Sequence, residues 1–183
     1  MRVRCPSPSP AWRPNFTPPA PLTHTGWYLA PLHPDLAELD YDAFTSCRER
    51  LVAELDWQGW PAADFSLADN IDDLADHYGE FERREAYAYS VLEPERCLGC
   101  VYIEPWTRGA QLAFWVRDEA LSREAEVVAA VLGWLEGWPF EEVVVPLRAE
   151  NSRARAVLSQ LGLEPCEGPA GHVSYRPRKS GLV

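Results

Sequence analysis

Arginines gather in the second half of a chain that is otherwise acidic. Five of them lie in or just after two predicted strands: Arg117, Arg123, Arg148, Arg153 and Arg155. The first two flank a short segment that leads from a predicted strand into a predicted helix. Helix N-termini present unpaired N–H groups and a partial positive charge, so they bind phosphate groups. The pattern favours an anion site near this segment, although the arginines could instead pair with nearby acids, namely Glu119, Glu124 and Glu150.

Pro146 lies within a short apolar strand predicted over residues 143–147. Proline cannot donate a hydrogen bond to a ladder, so it belongs where a strand lacks a neighbour on that side. If the strand diverges from its partner there, backbone N–H and C=O groups become available in a cleft. An extended ligand that carries amide groups could pair with them.

Cys97 and Cys100 form a C-x-x-C pattern at the start of another predicted strand. A zinc site would need a second pair with similar spacing, and the sequence has none. Strand residues three apart point to opposite faces, so the two thiols are predicted to diverge. We therefore predict no metal site, and we predict reduced thiols, as is usual in the cytoplasm.

The apolar periodicity predicts one α/β (α+β) domain with a mixed, mostly antiparallel sheet of six to seven strands and about four helices. Strands are predicted at 26–32, 86–92, 97–103, 111–116, 143–147, 163–166 and 172–176, and helices from 34 towards 55, from 67 to about 84, at 123–138 and at 152–161. Ser66 is the predicted N-cap of the second helix, with Asp69 as its capping-box partner. Residues 1–22 are a proline-rich tail predicted to be disordered, residues 23–178 the domain, and residues 179–183 a C-terminal tail.

The composition restricts the possible partners. A net charge of −11 disfavours non-specific binding to nucleic acid and favours a cationic partner such as an amine, although it could serve solubility alone. No apolar run approaches the ~20 residues needed to span a membrane. The first residues, Met1 to Arg4, are followed by prolines, which is unlike a secretory signal. We therefore expect a cytoplasmic protein, either a monomer or a homodimer.

The sequence from Phe114 onwards resembles the GNAT superfamily of acetyl-coenzyme A-dependent N-acyltransferases. The matching words are F-W-V-R-D-E at 114–119, G-W-L at 133–135, V-V-V-P-L at 143–147 and E-N-S-R-A-R-A-V-L-S-Q-L-G-L at 150–163. The most specific piece is Asn151, followed eleven residues later by Gly162. The resemblance covers about residues 24–178.

The resemblance implies an N-acetyltransferase that moves an acetyl group from acetyl-CoA to a primary amine of a small molecule or a peptide N-terminus. It places pantetheine between Gln111–Arg117 and Val143–Leu147, the pyrophosphate at Ala120–Glu126, and a thioester-polarising N–H near Val116. The implied cofactor-binding residues are Trp115, Val116, Arg117, Ser122, Arg123, Glu124, Ala125, Asn151 and Arg153. Glu104, which ends a predicted strand near the cleft mouth, is the candidate catalytic base, although it could equally be a solvated strand end.

Two positions depart from the family pattern. The pyrophosphate loop has no glycine, although close backbone approach to a pyrophosphate favours it. Leu158 stands where family members often carry a tyrosine that returns a proton to the thiolate. Ser122 could cap the following helix rather than bind a ligand.

Two alternatives to an enzyme therefore stay open. The chain could be a catalytically inactive GNAT-like module that has lost its standard CoA loop. It could also be an interaction protein that binds through exposed aromatic residues such as Trp57, Trp60 and Trp106.

Overall fold

The computed structural model describes residues 16–55, 57–106, 109–168 and 171–177. Most of the predicted N-terminal tail and the whole of the C-terminal tail 179–183 lie outside these ranges. Phe16, near the end of the proline-rich segment, packs on the core, with its ring centroid 5.1 Å from that of Trp138. No helix in the described ranges has the length and apolar character that a membrane span requires.

An eight-stranded sheet forms the centre of the fold, in the order β1-β2-β3-β4-β5-β6-β8-β7. The strands are β1 Thr23–His24, β2 Trp27–Pro31, β3 Tyr87–Glu93, β4 Arg96–Trp106, β5 Gly109–Val116, β6 Glu142–Arg148, β7 Glu164–Cys166 and β8 His172–Arg176. All neighbours pair antiparallel except β5 and β6, which are parallel. The predicted mixed, mostly antiparallel sheet is confirmed, with the short strand β1 added to the predicted set.

Five α-helices flank the sheet in the described residues: α1 Ala37–Thr45, α2 Arg48–Glu54, α3 Leu67–Glu82, α4 Glu124–Leu135 and α5 Ser152–Gln160. Two 3-10 helices, Pro34–Leu36 and Asp118–Arg123, precede α1 and α4. The single helix predicted from Pro34 towards Leu55 is therefore interrupted, and α2 starts a new direction after Cys47.

Helix α3 begins as predicted. The Ser66 hydroxyl accepts from the Asp69 N–H, and the Asp69 carboxylate accepts from the Ser66 N–H, which together form a capping box. The helical spacing of Leu67, Ile71, Leu74, Tyr78 and Phe81 predicts one buried apolar stripe, but this prediction is only partly correct, because Ile71 is 42 % exposed. The buried face of α3 instead runs through Asn70, Leu74 and His77, so it includes two polar side chains.

The two faces of the sheet bury separate clusters. On one face, Leu112, Phe114 and Val116 of β5 pack with the apolar side of α4. On the other face, Trp115 packs with Phe44 of α1, Leu51 of α2 and the loop that follows α2. Trp57 and Trp60 belong to this second cluster, and the ring centroids of Trp60 and Trp115 lie 6.1 Å apart. These two tryptophans are partly buried against the core and are not exposed side chains.

A β-bulge near the start of β4 changes which face its side chains occupy. Val91 pairs with Gly99 while the next residue of β3, Leu92, pairs with Cys97, so Leu98 is an extra residue. Gly99 permits a close approach, since a Cβ there would lie 2.0 Å from the Trp115 carbonyl oxygen. The prediction that Cys97 and Cys100 diverge is wrong, because the extra residue restores both thiols to the face that contacts α1.

Candidate active site

Strands β5 and β6 diverge along their length. They pair only at Gly109–Gln111 with Glu142–Val144, while β5 continues to Val116 and β6 to Arg148. Each diverging half keeps its outer partner, because β4 stays paired with β5 and β8 stays paired with β6. The split that Pro146 predicts is therefore present, and it begins two residues before that proline.

The register shows which backbone groups face this cleft. The Arg117 N–H donates to the Leu98 carbonyl oxygen at 2.7 Å, and hydrogen-bonded positions alternate in an antiparallel ladder. Leu112, Phe114 and Val116 therefore direct their N–H and C=O groups away from β4, into the cleft. On the other side, the Ala149 N–H donates to the Gly171 carbonyl oxygen at 3.1 Å. By the same alternation the backbone nitrogen of Pro146 faces the cleft. No strand pairs with β6 there, so the N–H that proline lacks costs the sheet no hydrogen bond.

Helix α2 contributes to the mouth of this cleft. The Arg50 guanidinium donates to the Val116 carbonyl oxygen and to Asp118 at the end of β5. Glu54, one turn later, accepts from Arg153 at 2.8 and 2.7 Å at the start of α5. Arg50 and Glu54 also pair with each other at 2.9 Å. Helix α2 thus spans the cleft from its β5 side to its α5 side.

Glu124, the first residue of α4, completes the set of charges at the mouth. Its side chain is 1 % exposed, and it accepts a hydrogen bond from Arg153 Nη1 at 2.5 Å. We call the five charged residues at this end of the cleft the mouth cluster: Arg50, Glu54, Asp118, Glu124 and Arg153. Each member has a partner of opposite charge within the cluster.

The electrostatics of the mouth cluster favour the charged forms of Glu54 and Arg153. Burial opposes ionisation of Glu54, but the hydrogen bonds and charges of Arg153 and Arg50 outweigh burial and hold the pKa of Glu54 below its ordinary value. The hydrogen bond to Glu54, supported by Glu124, raises the pKa of Arg153 despite its partial burial. A bound phosphate would have to compete with these carboxylates for Arg153.

The predicted phosphate loop folds as the 3-10 helix Asp118–Arg123. The Glu124 N–H, the first of α4, donates to the Leu121 carbonyl oxygen of this loop. Ser122 is exposed and is not the helix cap, because Arg123 occupies the N-cap position of α4 and makes no capping bond. The half-buried Ala125 follows in the first turn. The predicted capping role of Ser122 is therefore wrong, since the 3-10 turn shifts the helix start by one residue.

Arg117 and Arg123, the two other arginines predicted to bind the cofactor, pair with acidic side chains. Arg123 pairs with Glu93 at the end of β3 at 2.7 Å. Arg117 is buried and pairs with Asp42 of α1 at 2.9 Å and with Glu119 at 2.8 Å. The alternative of pairing between arginines and acids is thus realised at Arg117 and at Arg153, and also at Arg148, whose Nε lies 3.7 Å from Glu150.

Three other predicted residues have structural contacts of their own. Asn151 is the N-cap of α5, where its Oδ1 accepts from the Ala154 N–H at 3.0 Å. The Trp115 indole donates to the Tyr102 hydroxyl at 3.2 Å, on the face away from α4. Glu104 is half-buried and accepts from Gln111 Nε2 at 2.7 Å, next to the last pair that joins β5 to β6. It therefore lies one strand away from the point where the cleft opens.

Sequence patterns do not predict that Arg50, Glu54 and Asp118 belong to the candidate site. The only sequence signal for them is the four-residue spacing of Arg50 and Glu54, which marks a pair on one helix face. Their contacts with Val116 and Arg153 join residues 66 and 99 positions apart. Leu158, where a tyrosine would supply a proton, is fully buried in the core.

A mixed sheet that splits between two parallel strands, with a helix N-terminus at the mouth of the split, is the architecture that the resemblance to N-acyltransferases implies. The acetyltransferase (GNAT) domain family matches residues 28–164. The chain belongs to this family of acetyltransferase domains.

Solved structures with the same fold include three named acetyltransferases. The ribosomal-protein-S5-alanine acetyltransferase from Vibrio fischeri has a TM-score of 0.70 at 12% identity, covering 88% of this chain and 98% of its own. The microcin C7 self-immunity acetyltransferase MccE, in complex with acetyl-CoA and AMP, has a TM-score of 0.72 at 12% identity, with coverages of 85% and 94%. The ribosomal L7/L12 alpha-N-protein acetyltransferase RimL, in complex with coenzyme A, has a TM-score of 0.68 at 16% identity, again with coverages of 85% and 94%. No curated protein sequence matches the chain.

Proposed function

We propose that this chain is an N-acetyltransferase that transfers the acetyl group of acetyl-CoA to a primary amine. The observation that carries the proposal is the divergence of β5 from β6 after Gln111 and Val144. It leaves the backbone groups of Phe114 and the N–H of Val116 directed into a cleft lined by apolar strands, while the Val116 carbonyl oxygen accepts from Arg50. An extended pantetheine arm has amide groups that can pair with such a strand edge.

The chemistry needs few side chains. The amine nitrogen attacks the thioester carbonyl carbon, an N–C bond forms, the C–S bond breaks, and the coenzyme leaves as a thiolate that takes up a proton. In this proposal the N–H of Val116, which faces the cleft, stabilises the developing oxyanion. Glu104, beside the cleft apex, is the candidate group to accept the amine proton, directly or through water. Leu158 cannot donate a proton, so the thiolate would be protonated from solvent.

The acceptor is proposed to be cationic in solution. The net charge of −11 attracts protonated amines and basic peptides to the protein surface. One structural relative is named as a ribosomal-protein-S5-alanine acetyltransferase, and another is named as a ribosomal L7/L12 alpha-N-protein acetyltransferase. A peptide N-terminus is therefore the first acceptor class to test, followed by small primary amines. We place the reaction in the cytoplasm, where acetyl-CoA and reduced thiols coexist.

A second candidate function is a GNAT-like binding module without turnover. The mouth cluster supports it, because Glu54 and Glu124 stand where the resemblance places the pyrophosphate. The buried carboxylate of Glu124 would repel a phosphate unless the Arg153 pairs rearranged. The pantetheine half of the cleft thus fits acetyl-CoA better than the phosphate half does.

Titration calorimetry with acetyl-CoA separates the two functions. The enzyme proposal expects micromolar binding, weaker binding of dephospho-CoA, and thiol release on adding an N-terminal peptide or a small amine. Arg123→Gln should weaken binding, whereas the matched change Arg83→Gln, at an exposed arginine that pairs with Glu85, should not. Binding without thiol release from any amine supports the module. No binding at millimolar acetyl-CoA would overturn the acyltransferase proposal.

A further inference from the structure

Two cysteines and one carboxyl group meet on the face of the sheet that contacts α1. Asp40 of α1 is 3 % exposed, and Cys97 and Cys100 of β4 are 1 % and 0 % exposed. Their ligand atoms all lie within 4.8 Å of one another. The Cys100 thiol donates to Asp40 Oδ1 at 3.1 Å. These three residues form what we call the thiol cluster.

The thiol cluster holds an acidic group without a basic partner. In the described part of the chain, the hydrogen-bond donors to the Asp40 carboxyl are the Cys100 thiol and Asn70 Nδ2, the latter at 3.1 Å, and no arginine or histidine forms an ion pair with it. Burial, the largest cause, raises the pKa of Asp40 to about 6. Buried carboxylates are ordinarily paired with a cation or coordinate a metal.

The three groups lie close enough together to bind one zinc-type ion. Zn–S distances of about 2.3 Å and Zn–O distances of about 2.1 Å in tetrahedral geometry put ligand atoms ~3.6–3.8 Å apart. That separation lies within the 4.8 Å limit that the three ligand atoms satisfy, and the Cys100 Sγ–Asp40 Oδ1 contact of 3.1 Å would lengthen by about 0.5 Å on binding. Thiolates select soft or borderline cations such as zinc over magnesium or calcium.

Asn70 offers a fourth ligand atom. Its side chain is fully buried, and its Oδ1 has no hydrogen-bond partner. The amide oxygen and nitrogen exchange places on a half-turn of the side chain. That rotation would bring Oδ1 to the position now held by Nδ2, 3.1 Å from Asp40 Oδ2 and 3.0 Å from the Ala37 carbonyl oxygen, so two hydrogen bonds of Nδ2 would be exchanged for a contact with the cation. A buried oxygen without a partner is thus present beside the cluster.

We propose that Asp40, Cys97 and Cys100, with Asn70 completing the set, bind one zinc-type dication. Binding releases two thiol protons, and the cation then neutralises two of the three negative charges of the thiolates and the carboxylate. The bound ion would join α1 to β4. Helix α2, which follows α1 after Cys47, carries Arg50 and Glu54, so the ion would also hold the helices that reach the cleft mouth. The site is separate from the proposed acetyl-transfer chemistry.

The test uses the full chain, reduced and freed of metal by chelator, then supplied with zinc or cobalt. We expect about one bound equivalent after dialysis, thiolate-to-cobalt absorption in the near ultraviolet, and a melting temperature raised by about 5–10 °C at a hundredfold excess over Kd. Cys97→Ser/Cys100→Ser should lose all three signals. Cys47→Ser is the matched control, because Cys47 is also buried but its thiol donates only to backbone carbonyls of α1.

Each possible result either supports the proposed metal site or overturns it. The proposal stands if Cys47→Ser binds zinc like the parent chain and if the double variant melts like metal-free parent protein, with no response to zinc. It is overturned if the reduced parent chain binds no metal, or if the double variant binds as much metal as the parent. It is also overturned if mass spectrometry shows that the pair forms a disulfide and the reduced form takes up neither ion.

Discussion

The mouth cluster and the thiol cluster satisfy buried charge in opposite ways. In the mouth cluster, the carboxylates of Glu54 and Glu124 share the guanidinium of Arg153. In the thiol cluster, Asp40 is buried like Glu124, but its hydrogen-bond donors among the described residues are neutral, namely the Cys100 thiol and the Asn70 amide. A ligand at the mouth must therefore displace existing ion pairs, whereas a cation at the thiol cluster would displace only protons. The mouth cluster therefore disfavours binding of an anion, and the thiol cluster favours binding of a cation.

The sharpest test of the mouth cluster removes its central cation. Arg153→Met leaves Glu124 buried without its hydrogen-bonding guanidinium, and we expect the free energy of unfolding to fall by about 3–5 kcal/mol at pH 7, measured by denaturant titration. Arg148→Met is the control, because the Arg148–Glu150 contact is exposed and 3.7 Å long, so its loss should stay within ~0.5 kcal/mol. Equal losses in the two variants would contradict the pairing scheme.

The thiol cluster predicts a pH-dependent stability in chelator-treated protein. The pKa of Asp40 is raised by burial from 3.8 to about 6, so the folded chain keeps a proton that the unfolded chain releases between these values. The unfolded state binds fewer protons there, and stability falls as pH rises through this window. Asp40→Asn stays neutral and should stabilise the fold by about 3 kcal/mol at pH 7.5 but hardly at pH 4.

Thermal and denaturant unfolding at both pH values measure this difference. Asp35→Asn serves as the control, because the Asp35 side chain is 89% exposed and lies away from the thiol cluster. A gain of the same size at pH 4 and at pH 7.5 would show that Asp40 is not the titrating group.

A third comparison asks whether the mouth cluster repels phosphate. Glu124→Gln keeps a hydrogen-bond acceptor for Arg153 but removes one negative charge, so acetyl-CoA should bind about tenfold more tightly in titration calorimetry. Glu136→Gln, exposed just beyond the other end of α4, should leave the Kd unchanged. Weaker binding in Glu124→Gln would mean that the carboxylate helps to hold the ligand.

The smallest expected effect concerns Asn151, whose capping role is structural. Asn151→Ala should lower the free energy of unfolding by about 1 kcal/mol, because the Ala154 N–H loses its acceptor. Asn151→Ser should retain most of the stability. If Asn151 also contacts acetyl-CoA, the Kd should rise in both variants, whereas a pure cap leaves the Kd of Asn151→Ser at the parent value.

Local signals in the sequence were sufficient for much of the fold. Ser66 and Asp69 predict the start of α3 because both capping bonds lie within four residues. The alternation around Trp115 predicts the two faces of β5, and Pro146 predicts the divergence of β6. In each case the cause and its effect lie in the same element.

The site could be predicted only in outline, because its side chains are paired over long distances. Arg123 carries a charge suited to phosphate, but Glu93, which pairs with it, lies thirty residues earlier in the chain. Ile71 fits an apolar stripe, yet the buried face of α3 follows Asn70 and His77. Tertiary contacts decided these positions, and periodicity in one helix does not report them.

The bulge at Leu98 shifts the inward and outward alternation of side chains along β4 by one residue. A strand alternates with a period of two, so one additional residue exchanges the faces of everything on one side of the insertion. The part of β4 before the bulge and the part after it can therefore be patterned independently. A regular strand that kept Leu98 would turn Cys97 towards α4, whereas a strand without Leu98 would leave Cys97 two residues from Cys100 and on the same face. The meeting of the two thiols across a three-residue spacing thus depends on the bulge that accommodates Leu98.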